Sequence, residues 1–311
     1  MNLEQLRAFA EVADLGHFTR AAEALHVAQP SLSRQISTLE HELGTVLFHR
    51  VRGNISLTPA GETLLPRARR MLADADAIRT EMAEIAGLHR GRVRLGATPT
   101  LCISLVPEAM SAFHSAHPGV ELQLIEAGSH RLMEHLGTGV LDMALITVSD
   151  GLDVSGGALV RTPLLTEELV VVSSAAQPPI VHGASIGVRE LARLPMISFA
   201  ESYDLRAATD AAFRAVSIAP TPVLEGAEMD AVLRFVERGL GVAVVPAMVL
   251  LDRPALRSVR LSGPTLTRTV SLAHRSDLNP TRAGNVMRDV IVSTAGELAV
   301  KAPETLSLVA G

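Results

Sequence analysis

Residues 18–36 read FTRAAEALHVAQPSLSRQI, and the fold of the first sixty residues turns on them. Arg20 to Leu25 predicts a short helix in which Ala21, Ala22 and Ala24 let a neighbour approach closely. A turn at His26-Val27-Ala28 follows. The next helix begins near Gln29, with Pro30 tolerated because first-turn amides have no intrahelical partner. Leu32, Ile36 and Leu39 form its buried stripe. Gln29, Ser31, Ser33, Arg34, Gln35 and Ser37 remain on or near the other side. These are hydrogen-bonding groups with little apolar bulk, suited to the major groove of DNA.

Upstream, Leu3, Leu6, Phe9 and Val12 repeat every three residues and predict an inward-packing helix over 2–14, broken at Gly16. Downstream, Leu43-Gly44 ends the third helix. Leu47, Phe48, Ile55 and Leu57 then flank Arg50-Val51-Arg52-Gly53-Asn54, which predicts a β-hairpin with arginines at its tip. From Pro59 to about Gly87, Leu64, Ala68, Met71, Ala75, Ile78, Met82 and Ile85 alternate in steps of four and three. That heptad seam predicts a helix about 40 Å long used for dimerisation, the alternative being one helix of a globular core. Pro66 is expected to end or kink a helix unless it starts one.

Beyond His89-Arg90-Gly91-Arg92, short apolar runs predict strands at 93–97, 120–126, 141–147, 168–173, 196–199, 222–225 and 242–245. Amphipathic stretches at 102–116, 129–137, 203–216 and 227–238 lie between several of them. Such alternation predicts largely parallel sheets with helices on both faces.

Composition narrows the function class without choosing it. The chain has 311 residues, 48% of them hydrophobic, enough for two or three folded units with proper cores. No apolar run reaches the roughly 18 residues of a membrane span and MNLEQLRAF lacks signal-peptide order, so a cytoplasmic location is expected and no membrane partner. Cys102 is the only cysteine, which excludes an intrachain disulfide and a two-cysteine switch. Net charge is −5, and residues 1–58 hold five arginines against six acids, so charge alone does not suggest DNA binding. The argument rests on pattern.

That pattern is Phe18-Thr19-Arg20-Ala21-Ala22-Glu23-Ala24-Leu25, Ala28-Gln29-Pro30-Ser31-Leu32-Ser33-Arg34-Gln35-Ile36, the run Leu39-Glu40 to Leu47-Phe48-x-Arg50, and Leu57-Thr58-Pro59-Ala60-Gly61. It resembles the LysR-type transcriptional regulators. Gly96-Ala97, Val106-Pro107, Leu141-Asp142-Met143-Ala144 and Gly239-Leu240-Gly241-Val242-Ala243-Val244-Val245-Pro246 look like the same family's effector domain. His17 departs from the usual serine, and Ser31 from a small apolar residue. The resemblance implies an α/β protein: a winged helix-turn-helix (1–58), a linker and dimerisation helix (59–88), and a periplasmic-binding-protein-like effector domain (89–311). Two α/β lobes are expected in that domain, about 93–165 with 267–300, and about 166–266. It also implies a homodimer assembling to a homotetramer on double-stranded promoter DNA. A small-molecule effector would then alter DNA bending and RNA polymerase recruitment.

Candidate DNA contacts are Gln29, Pro30, Ser33 and Arg34, because arginine bonds guanine bidentately, glutamine adenine, and serine reaches bases or phosphates. Arg50 and Arg52 suit phosphate or the adjoining minor groove, and Arg50 has the alternative of pairing with Glu40 or Glu42. Candidate effector contacts are Thr98 and Thr100, where the sensor's first strand meets its helix, Ser129 at the next helix start, and Thr147 and Ser198 at other strand ends. Helix starts receive carboxylates well, although serine and threonine are also ordinary N-caps. In the resembled family the positions matching Thr100 and Ser129 often line the effector cleft.

An enzyme or a free solute-binding protein with the same lobes is the competing class. The sequence holds no Gly-x-Ser-x-Gly elbow and no Gly-x-Gly-x-x-Gly after a strand. His130 to His135 and His114 with His117 miss zinc-site spacing, so no metal, cofactor or catalytic residue is expected. Cys102 reads as a buried small apolar residue, with a lowered pKa near a helix start as the alternative.

Overall fold

The computed structural model describes residues 1–51, 54–85, 91–149, 159–200, 204–278 and 280–309. The chain divides into two compact units, residues 1–91 with 134–142, and residues 92–133 with 143–311.

In the N-terminal unit, helix α1 (Leu3–Leu15) opens on Asn2 with a reciprocal capping box. Asn2 Oδ1 accepts from the Gln5 amide at 2.9 Å, and Gln5 Oε1 from the Asn2 amide at 2.8 Å. Gly16 ends it in the left-handed region, φ 62°. Helices α2 (Phe18–Ala24) and α3 (Gln29–Leu43), the antiparallel hairpin β1 (Phe48–Val51) and β2 (Asn54–Leu57), and helix α4 (Pro59–Ile85) follow. His17 caps α2, its Nδ1 accepting from the Thr19 amide at 3.3 Å. Leu6, Phe9, Val12, Ala21, Ala22, Leu32, Ile36, Leu39, Leu47, Phe48 and Ala68 share one buried core. Leu3, expected inside, is 39% exposed because it lies in the first turn beyond that core's edge. Gly61 is needed for close approach: a Cβ there would stand 2.3 Å from the Leu47 carbonyl oxygen.

Helix α4 runs through Pro66 without a break, which corrects the expectation of a helix end there. Pro66 deprives the Glu62 carbonyl of its amide partner, but Glu62 and Pro66 are both exposed, so water can satisfy it. Leu64 and Ala68 pack on the core of the first three helices, whereas Met71, Ile78 and Met82 are 44%, 59% and 52% exposed.

The C-terminal unit contains β3 (Arg92–Ala97), α5 (Pro99–Cys102), α6 (Leu105–Ala116), β4 (Glu121–Glu126), α7 (Ser129–Gly137), β5 (Met143–Ser149), β6 (Leu159–Ser174), β7 (Ser185–Gly187), α8 (Val188–Leu191) and β8 (Ile197–Phe199). Then come α9 (Asp204–Ala215), β9 (Leu224–Ala227), α10 (Met229–Glu237), β10 (Ala243–Pro246), a 3-10 turn (Ala247–Leu250), β11 (Leu256–Ser262), β12 (Thr267–Arg275), α11 (Arg282–Lys301) and β13 (Leu306–Leu308).

The sheets are mixed rather than largely parallel. Strands β4, β3 and β5 pair in parallel, as do β7 with β11 and β8 with β9. β12 is antiparallel to both β5 and β6, and β6 is antiparallel to β10, β11 and β13. The 16-residue β6 is the reason. Its first half pairs with β12 and its second half with β10 and β11, so one strand serves two cores. One core gathers Val93, Leu95, Leu105, Phe113, Leu145, Leu272, Met287 and Ile291; the other gathers Val170, Val172, Ile197, Phe213, Val232, Val236 and Val244.

Candidate functional site

Helix α3 carries the polar face of the N-terminal unit. Leu32, Ile36 and Leu39 are fully buried. That orients Gln29, Pro30, Ser31 and Arg34 to solvent, with Ser33 half-buried. Arg34 Nε donates to the Pro30 carbonyl at 3.3 Å, laying the exposed guanidinium along its own helix. A shallow depression of about 320 Å³ adjoins it, lined by Asn2, Glu4, Gln5, Ser31, Arg34, Gln35 and Thr38. Asn2 and Thr38 are polar groups that the α3 pattern alone does not single out. Arg50 lies on β1 opposite Ile55, and Arg52 lies outside the described residues. Glu40 Oε1 accepts from the Leu47 amide at 2.8 Å, and Glu42 pairs with the N-terminal ammonium.

In the C-terminal unit four of the five expected effector residues lie on β5, are bonded to it, or follow the end of β3 beside it. Ala97 stands beside Leu145 in the parallel ladder, and the Thr98 amide donates to the Leu145 carbonyl at 3.3 Å. Ser129 Oγ donates to the Thr147 carbonyl at 3.1 Å and accepts from the Thr147 amide at 3.2 Å. Ser129 thus ties α7 to β5. Thr98 sits at the N-cap position of α5, yet its side chain makes no cap bond. Its Oγ1 is buried, without a hydrogen-bond partner. Thr100 lies inside the first turn of α5, not at its cap, and its Oγ1 accepts from Arg268 Nη2 at 2.9 Å. Ser198 belongs to the separate two-stranded sheet of β8 and β9, and no described hydrogen bond joins it to the other four.

Arg268 and its partner Glu167, buried at 7% and 0% exposure, are the residues that sequence reasoning missed. They are cross-strand neighbours on β12 and β6, 101 positions apart in sequence. No local pattern links them.

The larger cavity, about 470 Å³, lies elsewhere, among Ser104, Glu108, Glu237, Asp252, Arg253 and Lys301. None of the five expected residues lines it. Arg253 there is already paired with Asp230 at 2.7 Å. A buried hydroxyl without a partner is the stronger sign of a polar ligand, so Thr98 and its neighbours stay the candidate site.

The Cys102 thiol is pushed up to about 12 by burial, with the Glu126 carboxylate adding to the shift. This runs against the lowered-pKa alternative, because the half-buried thiol is partly desolvated and faces a carboxylate, both of which disfavour a thiolate. Among the described residues no group of three metal-ligating side chains occurs.

Residues 3–62 match the bacterial regulatory helix-turn-helix proteins of the lysR family, and residues 86–296 match the LysR substrate binding domain. The chain belongs to the LysR family of transcriptional regulators. The uncharacterized HTH-type transcriptional regulator YybE of Bacillus subtilis is 31% identical over 273 residues, 88% of this chain and 92% of that one. A probable hydrogen peroxide-inducible genes activator of Streptomyces viridosporus is 33% identical over 286 residues, covering 88% of each. These relatives are regulators, not enzymes. Among solved structures, a full-length OxyR point variant from Pseudomonas aeruginosa superposes with a TM-score of 0.70 at 27% identity, covering 95% of this chain and 94% of that one. CbnR complexed with its target DNA gives 0.65 at 23% identity over 96% and 100% of the two chains, a likeness of fold alone.

Proposed function

We propose that this LysR regulator reads double-stranded promoter DNA with α3, steadied by the β1–β2 wing, under the control of a small polar or anionic effector. The exposed polar face of α3 carries the reading. Gln29, Pro30, Ser33 and Arg34 are the base-proximal set, and Arg50 and Arg52 the wing contacts to phosphate. Arg34→Ala is expected to weaken operator binding by about 1–3 kcal/mol at fixed salt while the melting temperature holds, since this side chain supports no core. Unchanged operator affinity in a fluorescence-anisotropy titration would remove Arg34 from the reading set.

The effector is placed at Thr98, Thr100, Ser129 and Thr147, with Ser198 approaching from the other lobe. Thr98 supplies a hydroxyl without a described partner and Thr100 one whose oxygen accepts from Arg268, whereas Ser129 is held by β5 and shapes the wall. Small carboxylates and aromatic metabolites are the compounds to screen, by the melting-temperature rise that mass action requires of any folded-state ligand. Thr100→Val preserves shape but takes a partner from Arg268 and a donor from the effector. The expected cost is about 1 kcal/mol of stability, and an effector dose for half-maximal promoter response raised roughly tenfold or more. A dose curve that does not move excludes Thr100 as a ligand.

Residues 1–58, 59–88 and 89–311 are the reading head, the dimerisation helix and the sensor. The exposed Met71, Ile78 and Met82 of α4 supply a seam for a second copy, and two such dimers make the tetramer. Effector binding would change DNA bending and so the recruitment of RNA polymerase in the cytoplasm. No described helix is long and apolar enough to cross a membrane.

A further inference from the structure

Glu167 Oε1 accepts from Arg268 Nε at 2.8 Å and forms an ion pair with Nη2 at 2.7 Å, and Glu167 Oε2 accepts from the Met248 amide at 3.1 Å. The guanidinium is clamped against β6, and its remaining described bond goes to Thr100 Oγ1 at 2.9 Å. Arginine offers donors and no acceptor, so this bond has one sense: the threonine oxygen accepts. The hydroxyl proton must then turn away from the guanidinium. Among the described residues no side chain or carbonyl takes it. The hydroxyl of Thr98, two residues away and 5% exposed, is likewise without a partner.

We propose that Arg268 is a positioning residue that sets the specificity of the effector site, fixing Thr100 as a hydrogen-bond donor so that the site takes a carboxylate in preference to an amide or ammonium. The proposal rests on Thr100 facing the effector, as argued above. A lone pair engaged by a cation polarises the O–H bond and strengthens it as a donor. The ion pair behind the hydroxyl also turns its guanidinium end towards Thr100, which favours an acceptor oxygen there and opposes an incoming N–H. Among the described hydrogen bonds Arg268 reaches the site through Thr100 alone, which makes it a positioning residue.

The test uses the full-length chain and two probes of one shape, acetate and acetamide, titrated at constant ionic strength by ligand-observed NMR. Wild type is expected to bind acetate about tenfold or more tightly than acetamide, the scale of a hydrogen bond to a charged group. In Glu167→Gln/Arg268→Gln, which leaves no unpaired buried charge, the ratio should fall to near one. Arg268→Lys, which keeps a cationic donor, should restore part of the preference. Should the double glutamine variant fail to melt cooperatively, Glu167→Met/Arg268→Met replaces it, because an apolar pair of similar volume is tolerated where a buried ion pair stood. Equal affinities in wild type, or no acetate binding, overturn the proposal. A wild-type ratio in the double variant, with acetate binding lost in Thr100→Val, overturns the role of Arg268 and leaves the effector site standing. Acetate binding unchanged by Thr100→Val shows instead that the effector site itself lies elsewhere.

Discussion

Ile78→Glu is expected to convert the protein to monomers and to abolish operator binding at concentrations where wild type saturates. Within one chain Ile78 is 59% exposed, so the new carboxylate meets water there and the fold should be unaffected. The penalty arises only on association. A twofold dimer buries the change twice, and an uncompensated buried charge costs about 3–5 kcal/mol. At about 1.4 kcal/mol per decade, even one such penalty weakens the dimer by roughly a hundredfold or more. Two half-sites one helical turn apart require two reading heads, so DNA affinity falls with the dimer. Sedimentation equilibrium and operator titration on the same sample check both limbs. A wild-type mass would show that α4 does not form the interface through this seam. A monomer with intact operator affinity would break the link between assembly and reading.

The same helix shows what periodicity conveys and what it does not. Leu64 and Ala68 obey the seam's spacing yet pack on the core of α1 to α3, while Met71, Ile78 and Met82 obey it and stay exposed. Spacing says which residues share a stripe, and only the neighbouring helices say where an internal contact ends and a vacant one begins. In α3 the reading carried through because three fully buried apolar residues on one side fix the orientation of every polar residue on the other. For α11 the signal is present: Ala283, Met287, Ile291 and Leu298 are buried in steps of four and seven, although the sequence reading assigns no helix there. Strand β6 is different. Its burial passes from alternation to an unbroken buried run as it moves from one core to the next, so no single period describes it. The antiparallel character of the sheets was hidden for the same reason.

The effector residues divide along a similar line. Thr98, Thr100, Ser129 and Thr147 are legible as hydroxyls at strand ends, because a parallel arrangement of β3 and β5 brings those ends together. Their separate duties are not legible. Ser129 bonds the backbone of β5, the Thr98 hydroxyl bonds nothing described, and Thr100 is held by a guanidinium from β12. Arg268 and Glu167 look in sequence like two ordinary charged residues of a solvated strand. They become a site component only when β12 is laid beside β6.

Glu167→Ala is expected to be the most damaging single substitution in the sensor. It removes the acceptor of a guanidinium hydrogen bond and of the Met248 amide together with the partner of the ion pair, all in the interior. Arg268, 7% exposed, cannot reach water without moving β12, and leaving such a cation unpaired costs about 3–5 kcal/mol. For a unit of this size each kcal/mol lowers the transition by about 2–4 °C, so a drop on the order of 10 °C should appear in calorimetry. Glu167→Gln keeps a carbonyl oxygen for one of the donors and should lose roughly half as much. Glu167→Met/Arg268→Met should recover most of the loss, since removing both charges removes the desolvation cost along with the attraction. Recovery also in Glu167→Ala/Arg268→Met, where no volume returns at position 167, would separate an unpaired buried charge from mere loss of volume. A Glu167→Ala transition within about 1 kcal/mol of wild type, the scale of an exposed ion pair, would mean that Arg268 finds solvent and that the pair is not a buried one.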